Sequence, residues 1–278
     1  MVAVTVDSLI DAPAPRAGVT ITGLGVGSSV VSVWRTADGL REPVRGGRRV
    51  EMNDASFLID WDAPLGRPVS YEVEVISGPL GASRTTADAV TIESDTAWIT
   101  DPLVPQSAVS IQRRMVPGGE VTFAVTAMAQ LEYAADTQVF KILGSDKPMA
   151  LFGQRMAASG VDFSLITAAA EQTSRLRKLL QSTAQVLVRV PASWTGAIPG
   201  VCFAMIATAA EAPVDASTGG VTSVWSLTGD TVQAPTIRVL TASFTYGDVK
   251  LLFATYGDKQ AVLAGGSYLD DLKNPFGG

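Results

Sequence analysis

The sequence predicts a mainly β protein with one substantial helix, and three observations carry that prediction. Short runs rich in valine, threonine and isoleucine recur between Gly, Pro and Asp turns. Several of them alternate apolar with polar residues at a period of two. Only one stretch, residues 167–182, keeps its apolar residues at helical spacing. With 278 residues the chain is long enough for about two domains of roughly 100 to 200 residues each.

Composition narrows the function classes. Hydrophobic residues make up 47% and charged residues only 17%, yet no uninterrupted apolar run approaches the roughly 20 residues of a membrane span. The surplus apolar surface must therefore enter cores or protein interfaces. Cys202 is the only cysteine, which excludes an intrachain disulfide and a multi-cysteine metal site. Histidine is absent, and with it Ser-His-Asp and Cys-His catalysis and His-ligated zinc. A net charge of −6 argues against nucleic-acid binding over a broad surface. The opening Met1-Val2-Ala3-Val4-Thr5-Val6 lacks a basic region followed by an apolar core, so no secretion signal is expected and synthesis is expected in a cytoplasm. No cofactor is expected.

Residues 1–16 read as a short strand followed by a linker, Asp11-Ala12-Pro13-Ala14-Pro15. Residues 17–95 carry candidate strands at Val19 to Thr22, Ser29 to Arg35, Arg49 to Met52, Ser56 to Asp60, Val69 to Ile76 and Arg84 to Ile92. This spacing predicts a small β-sandwich of immunoglobulin or fibronectin type, with Trp34 and Trp61 as core anchors. The proline-bounded Trp98 to Pro105 reads as a domain junction. A second β domain then spans 96–240. It opens with a long half-buried strand from Val121 to Tyr133, apolar at every odd position. Strands at Gln138 to Leu143 and Met149 to Arg155 flank a turn, and Val161, Phe163 and Leu165 mark a third.

The helix at 167–182 follows, with Thr167 as N-cap, Ala169, Thr173, Leu176 and Leu180 on one face, and Glu171 placed to pair with Arg175. Gln185 to Val190 resumes strand, giving a β-β-β-α-β unit with one helix to cover one face of a mostly antiparallel sheet. Trp194 to Gly200 is a loop, and Val201 to Thr208, Val221 to Leu227 and Thr236 to Leu240 are further strands. In the arm at 241–278, Thr245-Tyr246-Gly247-Asp248 recurs as Thr255-Tyr256-Gly257-Asp258, echoed by Ser267-Tyr268-Leu269-Asp270. Each copy has capping-box spacing with Asp in place of Glu, predicting two or three short helices too small to stand alone. Tyr246, Asp248, Phe253, Tyr256, Asp258 and Tyr268 are accordingly the expected assembly-interface residues.

Chemical motifs are sparse. Asp60-Trp61-Asp62 could hold Ca²⁺, but with no third acidic residue nearby a solvated turn is the preferred reading. Glu72 and Glu74 share a strand face that reads as wet rather than catalytic. Gly23-Leu24-Gly25-Val26-Gly27 precedes a strand, so it is a mobile turn and not a dinucleotide loop. Arg41, Arg45, Arg48 and Arg49 cluster around Gly46 and Gly47, either as a patch for an anionic partner or as a hairpin of solvated arginines. Cys202 reads as a buried small hydrophobe, and Trp194 as either core or ligand platform.

Five features in order resemble minor tail proteins of long-tailed phages that infect actinobacteria. They are Val44-Arg45-Gly46-Gly47, then Asp60 to Gly66 with Pro68 to Tyr71, then Trp98 to Pro105, Val139 to Gly153, and the repeated Thr-Tyr-x-Asp of the arm. The chain departs from that pattern at Gly247 and Gly257, where alanine is expected, and at Ser145. The resemblance implies a structural protein of the virion tail tip, similar to distal tail proteins, with residues 96–240 as a tail-tube-like belt domain that forms rings. It also implies the partners: copies of itself as a hexamer or trimer, the tail tube protein, and a tail hub or other minor tail proteins. The alternative is a carbohydrate-binding adhesin using the first domain on a host surface glycan.

Overall fold

The computed structural model describes residues 2–113, 121–144, 146–194, 200–214, 217, 219–236, 253 and 255–262. Nine strands surround the first core: β1 (Ala3–Leu9), β2 (Arg16–Thr22), β3 (Ser29–Ala37), β4 (Leu40–Pro43), β5 (Val50–Met52), β6 (Ser56–Asp60), β7 (Pro68–Ser77), β8 (Ser83–Thr86) and β9 (Val90–Thr91). One sheet runs β1-β2-β6. The other runs β4-β3-β7-β8, with β5 on β3 and β9 on β7. Their inner faces supply a single cluster containing Val19, Ile21, Val31, Val33, Val69, Tyr71, Val73 and Ile92, as the period-two alternation of β3 and β7 requires. The short strand read in residues 1–16 is β1, which pairs with β2 from Ala3↔Thr22 to Leu9↔Arg16, and residues 10–15 connect the two outside either strand. The run from Arg84 to Ile92 is two short strands rather than one.

The second core begins at Ala97. It is lined by β10 (Ala97–Asp101), β11 (Val104–Gln112), β12 (Val121–Phe123), β15 (Val161–Asp162), β16 (Leu165–Thr167), β17 (Gln185–Arg189), β18 (Val201–Pro213) and β19 (Ser223–Val232). Strand β19 pairs with β16 on one side and with β18 on the other. The path β16-β12-β11-β10-β17-β18-β19 therefore closes into a seven-stranded barrel among the described residues. An odd number of strands cannot alternate in direction all the way round, so one pair must be parallel, and that pair is β11–β12. Closure removes both edges of the mostly antiparallel sheet that the sequence predicts.

Three elements differ from expectation. The predicted junction Trp98 to Pro105 is the β10–β11 hairpin, with Pro102 and Leu103 as its turn and the Leu103 amide donating to Asp101 Oδ1 at 2.8 Å. The long strand expected at Val121 to Tyr133 ends at Phe123. A turn follows, closed by the Ala127 amide on the Ala124 carbonyl, and the even-numbered Met128 is buried while Val125 stands free in solvent. The odd-position alternation there is a coincidence of composition. The strand expected around Val161, Phe163 and Leu165 has those three side chains buried, but it breaks into β15 and β16. The strand expected at Thr236 to Leu240 lies outside the described residues beyond residue 236.

Helix α1 (Ala170–Ser182) packs on β10, β11 and β16. Its N-cap is Ala169, without a side-chain cap. Thr167 is unavailable for capping because its buried hydroxyl is shared with Thr173 at 2.7 Å and accepts the Trp225 indole N–H at 3.2 Å. Arg175 reaches the Ala108 carbonyl instead of Glu171. The buried face is Thr173, Leu176 and Leu179, an i, i+3, i+6 stripe, with Leu180 only half-buried at its flank. Leu176→Ala or Leu179→Ala is expected to lower stability by about 2–5 kcal/mol in denaturant titrations, with a smaller loss for Leu180→Ala. Equal effects at 179 and 180 would contradict the placement of the helix.

Candidate functional site

The strongest chemistry in the molecule lies between the two cores. Trp98 and Arg189 face each other across the β10–β17 ladder and stand on the outer side of the barrel. The Trp98 ring packs against the first core, and the fully buried Arg189 donates to the Pro15 carbonyl at 2.7 Å and the Ala63 carbonyl at 3.2 Å. From the other side, Arg45 grips Asp62 with two bonds of 2.7 and 2.8 Å and donates to the Pro102 carbonyl in the β10–β11 turn. Asp60 accepts both Arg35 bonds at 3.1 Å, the Tyr71 hydroxyl at 3.0 Å and the Asp62 amide at 3.0 Å. The Ala192 amide adds a backbone bond to the Leu65 carbonyl.

Asp60-Trp61-Asp62 is thus neither a solvated turn nor an open cation site. Both carboxylates are buried, and their oxygens are taken up by guanidinium and phenol donors. Three arginines face two aspartates, with the half-exposed Glu42 completing the balance through Arg35 at 3.0 Å. Burial works against the Arg35 charge, yet Asp60, Asp62 and Glu42 outweigh it and hold the guanidinium pKa above its ordinary value. For Arg189 burial wins over the attraction of Asp62 and Asp60, lowering it to about 10. Burial, reinforced by the Asp60 charge, raises the Tyr71 phenol well above its ordinary range.

The arginine cluster does not form one patch. Arg45 is consumed inside the molecule. Arg41 lies over the Trp34 ring at 3.9 Å and pairs with Glu72, leaving Arg48 and Arg49 exposed. Trp34 is correspondingly not a core anchor. Val31 and Val33 occupy the inner face of β3, and Trp34 lies outside, donating to Glu74 at 3.1 Å. Trp61 is buried beneath Arg16, at 5.0 Å. Arg84 and the Trp34 N–H hold the Glu74 carboxyl below its usual range. The glycine stretch at 23–27 is a turn, as read from the sequence: Leu24 and Gly25 both donate to Asp54, Val26 stands in solvent, and Gly25 takes the left-handed φ of 91° that a side chain would disfavour.

Cys202 is buried in β18, and burial pushes its thiol up to about 11. Trp194 packs edge-on against Phe123 at the barrel and donates to the Asp95 carbonyl, so it serves packing. In the arm, Thr255 and Asp258 form the reciprocal box read from the sequence: the Asp258 amide donates to the Thr255 hydroxyl, and the Asp258 carboxylate accepts the Thr255 amide at 2.9 Å. Helix α2 (Tyr256–Val262) follows, and Phe253 is half-buried. Tyr246, Asp248, Tyr268 and the Tyr256 side chain lie outside the described residues, as do the first and third repeats.

One surface was not singled out by sequence. Among the described residues the hairpin of β13 (Ala135–Phe140) and β14 (Met149–Arg155) pairs with nothing but itself, and every residue of it except Ala135 is exposed. Register places Phe140 opposite Met149 and Gln138 opposite Leu151 on one face, with Val139 opposite Ala150 and Thr137 opposite Phe152 on the other. Large apolar side chains therefore stand on both faces, including Phe152 at 84% exposure and Leu151 at 57%. Among the described residues no helix is long and apolar enough to cross a membrane. No known family, curated protein or solved structure matches the chain.

Two outcomes follow from the buried cluster. Asp62→Ala strands Arg45 without its counter-ion and is expected to cost about 3–5 kcal/mol in equilibrium unfolding; a loss below about 1 kcal/mol, typical of surface pairs, would contradict it. Tyr71 keeps its proton in the folded chain after the unfolded chain has lost it. Its contribution to stability is therefore complete below pH 10 and falls as pH rises through the unfolded value. Absorbance at 295 nm should show one tyrosine that ionises only on alkaline unfolding and disappears in Tyr71→Phe.

Proposed function

We propose that this chain is a non-enzymatic structural subunit of a phage virion, a minor tail protein of the tail tip between the tail tube and the host-recognition apparatus. It acts by assembling with copies of itself and with neighbouring tail proteins. In this reading the first unit is an immunoglobulin- or fibronectin-like sandwich that decorates the assembly, and the barrel is the tail-tube-like belt. The observation that carries the assembly reading is the β13–β14 hairpin. A two-stranded ribbon is marginally stable alone in water, and this one exposes apolar side chains on both faces and, among the described residues, has no strand paired to either backbone edge. Such a ribbon is stabilised by burial against another subunit.

The resemblance of five sequence features to actinobacterial phage tail proteins supports the virion assignment. The adhesin alternative receives less support, because Arg41 covers the face of Trp34, the aromatic platform that a glycan would need on the six-stranded sheet. Light scattering on the purified chain is expected to give a multiple of its 29.0 kDa mass corresponding to a hexamer or trimer, and antibody-labelled particles should carry the label at the tail tip. A monomer at all concentrations, together with unlabelled tails, would overturn the proposal.

A further inference from the structure

Residues 1–95 carry arginine at positions 16, 35, 41, 45, 48, 49, 67 and 84 and no lysine, so every basic side chain of the first unit is a planar fork of donors. Arg16, Arg35, Arg41, Arg45, Arg67 and Arg84 each meet a carboxylate of the same unit. Arg48 and Arg49 are the exceptions. Both are exposed, and among the described residues neither guanidinium has an ion pair or a hydrogen bond. Glu51 stands two residues further on, also exposed, and the arginines do not turn back to it.

The loop that presents them is held from beneath. The Val33 amide donates to the Gly47 carbonyl at 2.7 Å, the Val44 amide to the Val33 carbonyl at 2.9 Å, and the Gly47 amide to the Val44 carbonyl at 2.8 Å. A Cβ on Gly47 would meet Leu58 and Val33 at 3.0 and 3.1 Å, so the backbone is seated against the first core. On the inner side Arg45 is committed to Asp62 and the Pro102 carbonyl. On the outer side the Arg49 amide donates to the hydroxyl of the buried Ser32 at 3.1 Å, and Arg49 takes a left-handed φ of 52°. Residues other than glycine are disfavoured there, and those held there by their surroundings cluster at ligand clamps and switch regions.

We propose that Arg48 and Arg49 form a binding site for an anionic polymer, one that repeats phosphate or carboxylate oxyanions along its length. The site belongs to the first unit and is independent of the hairpin and of the assembly reading. A guanidinium fork matches two oxygens of either anion. One such anion gains little at an exposed pair, because screening and side-chain entropy offset the attraction. Two adjacent forks on a fixed loop gain more from a ligand that presents several charges at once, since the second contact forms at the high effective concentration set by the first. Fixing the loop before the ligand arrives also lowers the ordering cost of binding. The surrounding unit is rich in carboxylates, so the attraction is local and weakens with added salt.

The test measures fluorescence anisotropy of labelled polyphosphate and labelled poly-glutamate titrated with the full chain at low ionic strength. At least one polymer is expected to bind, and the double variant Arg48→Gln/Arg49→Gln is expected to weaken that binding by about tenfold or more. The double variant Arg84→Gln/Arg177→Gln removes the same charge from two exposed arginines that are already paired, and should leave the binding unchanged. Arg48→Glu alone, which leaves the left-handed turn at 49 in place, should reproduce the loss with the melting curve retained. Tighter binding of polyphosphate assigns the site to phosphate, and tighter binding of poly-glutamate assigns it to carboxylate. Failure of both polymers to bind the unmodified chain, or an equal loss in the two double variants, would overturn the site and leave the pair as solvated arginines.

Discussion

The arrangement of the molecule depends on the buried charge cluster of Asp60, Asp62, Arg35, Arg45 and Arg189. Each member is costly alone, since a guanidinium or carboxylate removed from water without partners loses several kcal/mol of hydration. They persist together because every carboxylate oxygen meets a donor, and Arg45 and Arg189 spend their remaining N–H groups on carbonyls of the opposite unit. The cluster is directional where the apolar cores are not. Trp98 on the first core supplies contact area, and the arginines fix which carbonyls must face which strand. Such geometry holds the first β unit and the barrel in one relative pose.

That rigidity bears on function. On the proposed reading, a subunit that decorates a ring must present its outer unit at a fixed angle, or neighbouring copies clash. A flexible linker would tolerate many angles; three interlocked guanidiniums tolerate few. The hairpin is the opposite kind of element. Among the described residues its backbone bonds to the rest of the chain are at its base, where the Met156 amide meets the Ala134 carbonyl and the Ser159 amide meets the Glu132 carbonyl. Such local weakness suits the proposed assembly reading.

Much of the fold was legible in the sequence. Strands such as Ser56–Asp60 and Met149–Arg155 carry β-branched or apolar residues between Gly, Pro and Asp turns, and the one helix shows the 3.6-residue spacing. Barrel closure was not legible, because the pairing of β18 with β19 depends on which strands meet across the ring and not on local pattern. The charge cluster was hidden for a similar reason. Asp60 and Asp62 look like turn residues, and their partners Arg35, Arg45 and Tyr71 are spread through the first domain at unrelated spacings. The Val44-Arg45-Gly46-Gly47 stretch did hold a clue: among four nearby arginines, the one beside a buried valine and two glycines turns inward. The sequence located both hairpin strands, the second at Met149–Arg155 and the first displaced by three residues, Gln138 to Leu143 against the observed Ala135–Phe140, but it could not show that both faces stay exposed.

Calorimetry tests the central claim, that buried charge welds the two units into one cooperative body, more directly than any single contact. The account predicts one endotherm for the unmodified chain, with calorimetric and van't Hoff enthalpies equal, and two separated endotherms once Arg189 is replaced by methionine and the interdomain carbonyls lose their donor. Two transitions already present in the unmodified chain would contradict it.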